Sequence, residues 1–328
     1  MTGEIKAGDL PLALTGRRRR QAPYYKCLDP LVPWSQVQRP VDWPAEFGRE
    51  APLEVEMGFG NGETLVRHAR ERTDLNLVGI ELAWDSVKRA LRRLAKEKIA
   101  NVRLLQADAH LALERLFAPR SITRAYSLFP LPWPKERHER RRVFSRGFLR
   151  LLGNRLDEGG HLLIVTDWLP LVEWTLSQVP DTGLAGEWRT TPAGFDTKYE
   201  RKWRDTGQEV FYEISLVKER HLEAPVKEDL ELLTLWLDHF DPETYEPRGR
   251  EGPITVKFKE YLWDPRRQTA LVRAFVAEDR LIQDVWIRIS RQEGRWRLTL
   301  SQSAQVVPTE GLKQALELAQ ASALLKGR

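Results

Sequence analysis

The stretch that decides the fold is LEVEMGFGNG, which runs from Leu53 to Gly62. Its apolar residues predict a buried strand over Leu53–Met57, and Gly58, Gly60 and Gly62 follow at once. A helical pattern begins directly afterwards. Glycines adopt backbone angles that other residues avoid, and they let a ligand approach bare main chain. Strand, glycine turn and helix together predict the start of a nucleotide-binding α/β fold, although a tight turn without a ligand would have the same pattern.

The composition restricts the class of protein. A chain of 328 residues predicts about two domains, and 41% hydrophobic with 30% charged residues is typical of a soluble globular protein. We expect a cytoplasmic protein, because no apolar run is long enough to cross a membrane and the N-terminus lacks an apolar signal core. The single Cys27 excludes an internal disulfide and a cysteine-cluster metal site, and the six histidines are scattered, so no metal site is predicted.

The net charge of +5 and the distribution of arginine favour a polyanionic partner. Residues 1–50 are predicted to form a basic and aromatic N-terminal arm, with Arg17–Arg20 followed by Tyr24, Tyr25, Trp34 and Trp43. Two interpretations of this arm remain open. Its aromatic residues could pack on the main domain, or the arm could face RNA, with arginines on phosphates. Abundant arginine with few Cys and Met residues also suggests a thermophilic source.

Carboxylates recur where successive predicted strands end. The strand predicted over residues 75–81 ends in Glu81, and the strand predicted over residues 101–108 ends in Asp108. Glu56 lies beside the glycines. In nucleotide-binding α/β folds the acidic residue after the second strand accepts hydrogen bonds from ribose hydroxyls. Asp108 suits the surroundings of an adenine amino group. The repetition favours a bound ligand, because acidic groups at one crevice repel one another.

A rigid, basic loop follows the fourth predicted strand, Ile122–Leu128. Its sequence is FPLPWPKERHERRR, from Phe129 to Arg142, and its three prolines stop both sheet and helix. Because open α/β sheets place their chemistry at the carboxyl ends of strands, this basic segment is predicted to contact phosphates near the reaction site. A helix is also predicted from about Ala83 to Glu97. After the proline loop, the predicted elements are a helix over Phe144–Leu152, a turn at Gly159–Gly160, a strand over His161–Thr166, a helix over Leu171–Val179 and a strand over Glu209–Lys218.

We predict that a main domain spans residues 51–220 and that residues 221–328 form a C-terminal α+β extension. An amphipathic helix is expected within His221–Phe240, and the final helix over Thr309–Leu325. Alternating residues predict four half-buried antiparallel strands between them, over Ile254–Leu262, Thr269–Glu278, Leu281–Ser290 and Arg295–Ser301. A packing role and contact with RNA are both open for this extension.

The main domain resembles a known family. Residues of about 50–218 resemble the bacterial tRNA (guanine-N7)-methyltransferases, which use S-adenosylmethionine. The motifs that carry the resemblance are EMGFGNGE at Glu56–Glu63, GIE at Gly79–Glu81, the strand end at Asp108, the loop Phe129–Arg142, TDW at Thr166–Trp168 and TKYE at Thr197–Glu200. The glycine loop is common to most methyltransferases. The proline–tryptophan loop followed by TDW and TKYE in this order is specific.

The resemblance implies a Rossmann-like class I methyltransferase fold with a C-terminal α+β appendage. It implies methyl transfer from S-adenosyl-L-methionine to guanine N7 in the variable loop of tRNA. Residues that it places at the cofactor are Glu56, Gly58, Gly60, Gly62, Glu81, Asp108 and Leu131. Residues that it places at the tRNA substrate are Lys135, Arg137, His138, Asp167, Thr197, Lys198, Tyr199 and Glu200. Monomer and homodimer both remain open.

Two positions depart from the family pattern. Leu128 replaces an asparagine, and Leu131 replaces an aspartate that is usually regarded as central to the site. Guanine N7 carries a free lone pair, so positioning can supply most of the rate without removal of a proton. We therefore predict an active enzyme in which Asp167 or Glu200 orients the base. The alternatives are methylation of another RNA acceptor and a catalytically weak tRNA-binding relative. A nicotinamide dehydrogenase is disfavoured, because the loop is G-x-G-x-G and no hydride-transfer His–acid pair is evident.

Overall fold

The computed structural model describes residues 28–192, 194, 200–201, 205, 210–301 and 306–324, which form two sheets with flanking helices. The first sheet has seven strands in the order β3-β2-β1-β4-β5-β7-β6; β7 runs antiparallel to β5 and β6, and the other neighbouring strands are parallel. Its strands are β1 (Leu53–Met57), β2 (Asn76–Glu81), β3 (Val102–Gln106), β4 (Ile122–Leu128), β5 (Leu156–Thr166), β6 (Leu184–Pro192) and β7 (Val210–Lys218). This strand order is that of a Rossmann-like class I methyltransferase, as expected.

Helices cover the first sheet on both faces. They are α1 (Trp43–Phe47), α2 (Glu63–Glu71), α3 (Trp84–Glu97), α4 (Ala109–Arg115), α5 (Arg146–Arg155) and α6 (Leu169–Gln178), with a 3-10 helix over Glu136–Arg141. Leu77 and Val78 are neighbours in β2 but belong to different hydrophobic clusters, because successive strand residues face opposite sides. The cluster of Leu77 contains residues of α2 and α3. The cluster of Val78 contains residues of α4, α5 and α6.

The C-terminal part forms a second, antiparallel sheet in the order β8-β12-β11-β10-β9. Its elements are β8 (Leu235–Leu237), β9 (Ile254–Asp264), β10 (Thr269–Glu278), β11 (Leu281–Gln292), β12 (Arg295–Leu300) and the helix α7 (Glu310–Leu324). Leu312, Ala315 and Leu316 of α7 are buried in one cluster with the apolar residues of these strands. The four predicted strands and the final helix are therefore confirmed.

The helix predicted within His221–Phe240 is wrong. Residues 221–234 are in neither helix nor strand, and the backbone N–H groups of Lys227 and Leu230 donate to the carbonyls of Glu114 and Pro308 at 2.9 and 3.0 Å. Leu235–Leu237 then joins the second sheet as β8, beside β12. The leucines mimic a helical stripe, but tertiary hydrogen bonds satisfy this backbone between the two sheets and override the local pattern.

Two smaller differences concern the first sheet. The turn predicted at Gly159–Gly160 lies inside β5, where the register with β4 shifts and Gly159 has a positive φ of 71°. It is thus a bulge within one strand and not a break between elements. The strand β6 was not predicted, because most of its residues are exposed and apolar and polar residues do not alternate along it.

The second sheet packs against the first through α4 and the turn between β10 and β11. Leu281 and Val307 form a small cluster with Leu111 of α4. Lys227 Nζ lies 2.7 Å from Asp279 and 3.4 Å from Glu114, so it joins the two parts. The C-terminal part therefore contacts α4, the helix that follows β3, near the strand end where the cofactor was predicted to bind.

A fully buried arginine secures the chain that leaves the first sheet. Arg155 Nε donates to the Leu113 carbonyl at 2.8 Å, and its terminal nitrogens donate to the carbonyls of Ala224 and Pro225 at 2.6 and 3.3 Å. Burial lowers the pKa of Arg155 to about 10. Because these carbonyls have a charged donor, Arg155 strengthens the connection between α4 and the segment that follows β7, to which Arg115 and Lys227 also contribute.

We expect Arg155→Met to lower the free energy of unfolding by about 3 kcal/mol, because it leaves buried carbonyls unpaired. Urea denaturation measures this change. Arg150→Met is the matched control, since Arg150 lies on the same helix, is exposed and donates to the Glu223 carbonyl at the longer distance of 3.3 Å. Equal effects of the two substitutions would contradict the role given to Arg155.

Candidate active site

The glycine loop after β1 is open where a ligand would approach. Gly58 and Gly60 have positive φ angles of 74° and 57°, and among the described residues no heavy atom beyond the adjacent positions in the chain lies within 4 Å of a Cβ added at either glycine. Gly62 differs, since an added Cβ would lie 2.7 Å from the Cβ of Ala90 in α3. The first two glycines therefore serve the turn and leave its surface bare, and the third permits close packing of α2 on α3.

Glu81 fixes this loop from the end of β2. Its Oε2 accepts a hydrogen bond from the Gly60 N–H at 3.0 Å, and its Oε1 accepts one from the Ala83 N–H at 2.9 Å. A carboxylate has about four acceptor positions, so two bonds leave capacity for hydroxyl groups of a ligand. Glu81 and the bare glycine loop fit a ribose-bearing cofactor such as S-adenosylmethionine.

Asp108 lies just beyond the next strand and has a structural use that was not predicted. Its Oδ1 accepts hydrogen bonds from the backbone N–H groups of His110 and Leu111 at 2.9 and 3.2 Å, so it caps α4. Its Oδ2 lies 3.7 Å from Arg280 Nη1, in the turn between β10 and β11. The aspartate is at the predicted edge of the sheet. Its side chain also connects that edge to the C-terminal part.

Glu56 is buried within β1. Burial raises the pKa of Glu56 to about 8, and the positive charge of Arg67 only partly offsets this effect. The side chain lines a cavity of about 230 Å³ on the α2 side of the sheet, together with Arg67, Tyr126 and Leu128. Glu56 is the only residue of the predicted cofactor set among those that line this cavity. It is therefore a carboxyl group that stays protonated near neutral pH unless a positive charge approaches.

Behind Glu56 lies a second acidic residue that sequence patterns did not single out. Glu54 Oε2 accepts a hydrogen bond from the Tyr126 hydroxyl at 2.5 Å and lies 2.8 Å from His68 Nε2. Burial alone would raise the pKa of Glu54, but hydrogen bonds with His68 and Tyr126 hold it below its ordinary value. The two glutamates of β1 thus differ in protonation, since Glu54 has hydrogen-bond partners for its charge. In the sequence LEVEM, Glu54 and Glu56 alternate with apolar residues, and this alternation could have identified Glu54 as a second acidic residue on the same face of β1.

The proline loop begins at the end of β4, beside the glycine loop. The Phe129 N–H donates to the Val165 carbonyl at 2.7 Å, and Phe129 and Trp133 have positive φ angles of 53° and 46°. These angles are unusual for large side chains and mark a constrained backbone. Leu131, in the place of the family's aspartate, is 67% exposed. Of the predicted substrate residues here, Lys135 and Arg137 are exposed, and His138 packs edge-on against Trp133 at 5.7 Å.

The two predicted catalytic carboxylates lie in different settings. Asp167 follows β5 and is half-buried, and burial raises the pKa of its carboxyl group. Glu200 is buried, and its Oε1 accepts a hydrogen bond from the Gly194 N–H. The predicted substrate residues Thr197, Lys198 and Tyr199 lie outside the described residues.

An ion-pair cluster that the prediction missed holds the segment of Glu200 near the glycine loop. Glu63 is the first residue of α2. Its carboxylate lies 2.5 Å from the guanidinium of Arg201, which directly follows Glu200, and 2.7 Å from that of Arg93 in α3. The glutamate that ends the EMGFGNGE motif was the signal for it. Through Glu63, the segment after β6 is tied to the helix that starts at the glycine loop.

Within the described parts of the chain, no cluster of three or more His, Cys, Asp or Glu side chains could hold a metal ion. The same parts contain no helix long and apolar enough to span a membrane.

Comparison with known proteins identifies the family. A family model described as "Putative methyltransferase" matches residues 50–213. The tRNA (guanine-N(7)-)-methyltransferase of Chlorobium phaeobacteroides is 45% identical over 172 residues, which cover 52% of this chain and 84% of that protein. Among solved structures, the 16S rRNA methyltransferase KamB is 18% identical with a TM-score of 0.44, over 56% of this chain and 97% of that one.

One relative extends the similarity beyond the first sheet. The tRNA (guanine-N(7)-)-methyltransferase of Thermotoga maritima is 30% identical over 304 residues, which cover 87% of this chain and 94% of that protein. The resemblance read from motifs ended near Lys218, so it was too short: the C-terminal part is shared with relatives. The chain belongs to the tRNA (guanine-N(7)-)-methyltransferase family.

Proposed function

We propose that this protein transfers the methyl group of S-adenosylmethionine to N7 of a guanine in tRNA and forms 7-methylguanosine. The observation that carries the proposal is the adjacency of two loops. β1 and β4 are paired neighbours, so the open glycine loop and the constrained basic loop leave the same edge of the sheet side by side. A cofactor on the first loop and a nucleic acid on the second would meet at this edge.

Methyl transfer to guanine N7 requires little of the protein beyond correct placement of the cofactor and the base. S-adenosylmethionine, when bound, supplies an electrophilic methyl group on a positively charged sulfur. Guanine N7 has a free lone pair, so no general base is needed to activate it. Glu81 and the glycine loop hold the cofactor, and the proline loop restricts how the base can enter. Orientation of this kind removes entropic cost from the reaction and accounts for much of the rate.

Asp167 and Glu200 take the place of the missing family carboxylate in this proposal. The exposed Leu131 can neither accept a hydrogen bond nor offset charge on the base. Asp167 follows β5, the strand next to β4, and so lies beside the proline loop. A carboxylate here would accept hydrogen bonds from the guanine edge and offset the positive charge that grows on the ring.

The surface for tRNA includes the basic segment after the proline loop. Lys135, Arg137, Arg140 and Arg141 are all exposed in or next to the 3-10 helix. Exposed cations beside a reaction site bind phosphates and set the register of the nucleic acid without reading its sequence. By family resemblance the target guanine lies in the variable loop, and Thr197, Lys198 and Tyr199 also contact the substrate.

The replacement of the family aspartate by Leu131 keeps a second function open, namely a weakly catalytic tRNA-binding relative or methylation of another RNA. Labelled S-adenosylmethionine and unmodified bulk tRNA, followed by nucleoside analysis, separate these functions. Formation of 7-methylguanosine supports the proposal. Tight cofactor binding with no such product from any tRNA would favour the alternatives.

If Asp167 or Glu200 orients the base, Asp167→Asn or Glu200→Gln is expected to lower kcat by roughly 100-fold. The dissociation constant of S-adenosylmethionine should change little, since neither carboxylate is assigned to the cofactor. Glu173→Gln is the matched control, because Glu173 is an exposed carboxylate on the adjacent α6. Full activity of both variants, with unchanged thermal unfolding, would remove these residues from the mechanism.

Cofactor affinity is expected to depend on the protonation of Glu56. The free protein keeps this carboxyl group protonated up to about pH 8. A cationic cofactor near it favours the ionised form, so the proton must leave on binding. The affinity for S-adenosylmethionine should therefore rise with pH up to about 8, by up to about tenfold per pH unit, and then level off. Isothermal titration calorimetry at several pH values measures this rise.

Glu56→Gln serves as the reference for that experiment, because it removes the titrating group and preserves the shape of the side chain. Its affinity should vary less with pH than that of the unaltered protein. Parallel pH profiles of the two proteins would show that Glu56 does not exchange a proton on binding.

A further inference from the structure

We propose that Arg142 is a positioning residue that locks the proline loop against the segment of Asp167 and Trp168, and that it does not contact tRNA phosphate. This inference rests on the function proposed above and assigns a separate role within the same site. Arg142 ends the basic segment, but it is only 8% exposed, whereas Lys135, Arg137 and Arg140 are exposed. A buried guanidinium cannot meet a phosphate without moving, so its charge must serve the protein itself.

The guanidinium of Arg142 binds the backbone of the proline loop. Its Nε donates to the Pro132 carbonyl at 3.2 Å, and its Nη2 donates to the Trp133 carbonyl at 3.4 Å. Trp133 has a positive φ of 46°, which a tryptophan adopts only when its surroundings enforce it. Two donors from one rigid plane hold successive carbonyls and so stabilise this backbone.

The same guanidinium lies near the faces of two tryptophans. Its central carbon is 5.2 Å from the ring centre of Trp168 and 5.2 Å from that of Trp174. Both distances are within the range of cation–π attraction, which strengthens when the cation is shielded from water. Trp174 is held in turn, because its Nε1 donates to Glu139 at 2.9 Å. Arg142 therefore connects the proline loop with the strand end after β5 and with α6.

This connection matters for the reaction because Trp168 directly follows Asp167. The loop after β4 and the carboxylate after β5 belong to different segments, and Arg142 contacts the first directly and the second through Trp168. A misplacement of about 1 Å at such a site can cost roughly 100-fold in rate. Lysine would keep the charge of Arg142, but its single ammonium lacks the flat fork that meets two carbonyls while lying on aromatic rings.

Two measurements distinguish positioning from phosphate contact. For Arg142→Lys and Arg142→Gln we expect kcat at saturating tRNA to fall by roughly 100-fold. The salt dependence of tRNA binding should match that of the unaltered protein, since no phosphate contact is lost. Arg140→Gln is the matched variant from the exposed part of the segment. It should weaken tRNA binding and reduce the slope of log affinity against log salt by about 1.

Thermal unfolding and S-adenosylmethionine binding of each variant identify general damage to the fold. The inference is overturned if Arg142→Lys keeps kcat within about threefold of the unaltered protein, since charge alone would then suffice. It is also overturned if Arg142→Gln reduces the salt slope by about 1 and leaves kcat unchanged. Failure of the proposed function would differ from both results, because the unaltered protein itself would then form no 7-methylguanosine.

Discussion

The contact on which the site depends most is the pair of hydrogen bonds that Glu81 accepts from the Gly60 and Ala83 N–H groups. One carboxylate at the end of β2 thereby holds the loop after β1 and the start of the segment that leads to α3. The glycines need this restraint, because they lose more conformational freedom on folding than other residues do. A surface of bare main chain that stays in one conformation can bind a cofactor without the cost of ordering it first.

The proline loop after β4 is held by a hydrogen-bond donor, whereas the glycine loop is held by an acceptor. After β1 a carboxylate accepts from amides, whereas after β4 the Arg142 guanidinium donates to the carbonyls of Pro132 and Trp133. In both cases a charged side chain satisfies backbone groups of an irregular loop. Glu81 does so from the end of β2, and Arg142 does so from the far end of the same loop. The C-terminal part contributes a further contact at this edge of the sheet, since Arg280 approaches the Asp108 carboxylate that caps α4.

Sequence patterns predicted the elements around the glycine loop well, because strand, turn and helix there follow from local chemistry. They failed between residues 221 and 240, where a leucine-rich segment satisfies its backbone through distant partners such as Glu114 and Pro308. The positions of Glu81 and Asp108 at one sheet edge were also predictable. The bonds by which Asp108 caps α4 are local, and an aspartate just before a helix is itself a capping signal, which the assignment of Asp108 to the cofactor overlooked. The burial of Arg142 was not predictable, since Trp168 and Trp174 come from a later part of the chain.

We infer that Glu81 preorganises the glycine loop for the cofactor, and calorimetric titration of S-adenosylmethionine into the Glu81→Gln variant is the direct test. An amide can accept only one of the two backbone hydrogen bonds and lacks the charge that strengthens them. We expect the affinity of the variant to be at least about tenfold weaker than that of the unaltered protein, with thermal unfolding little changed. Equal affinity of the two proteins would contradict it.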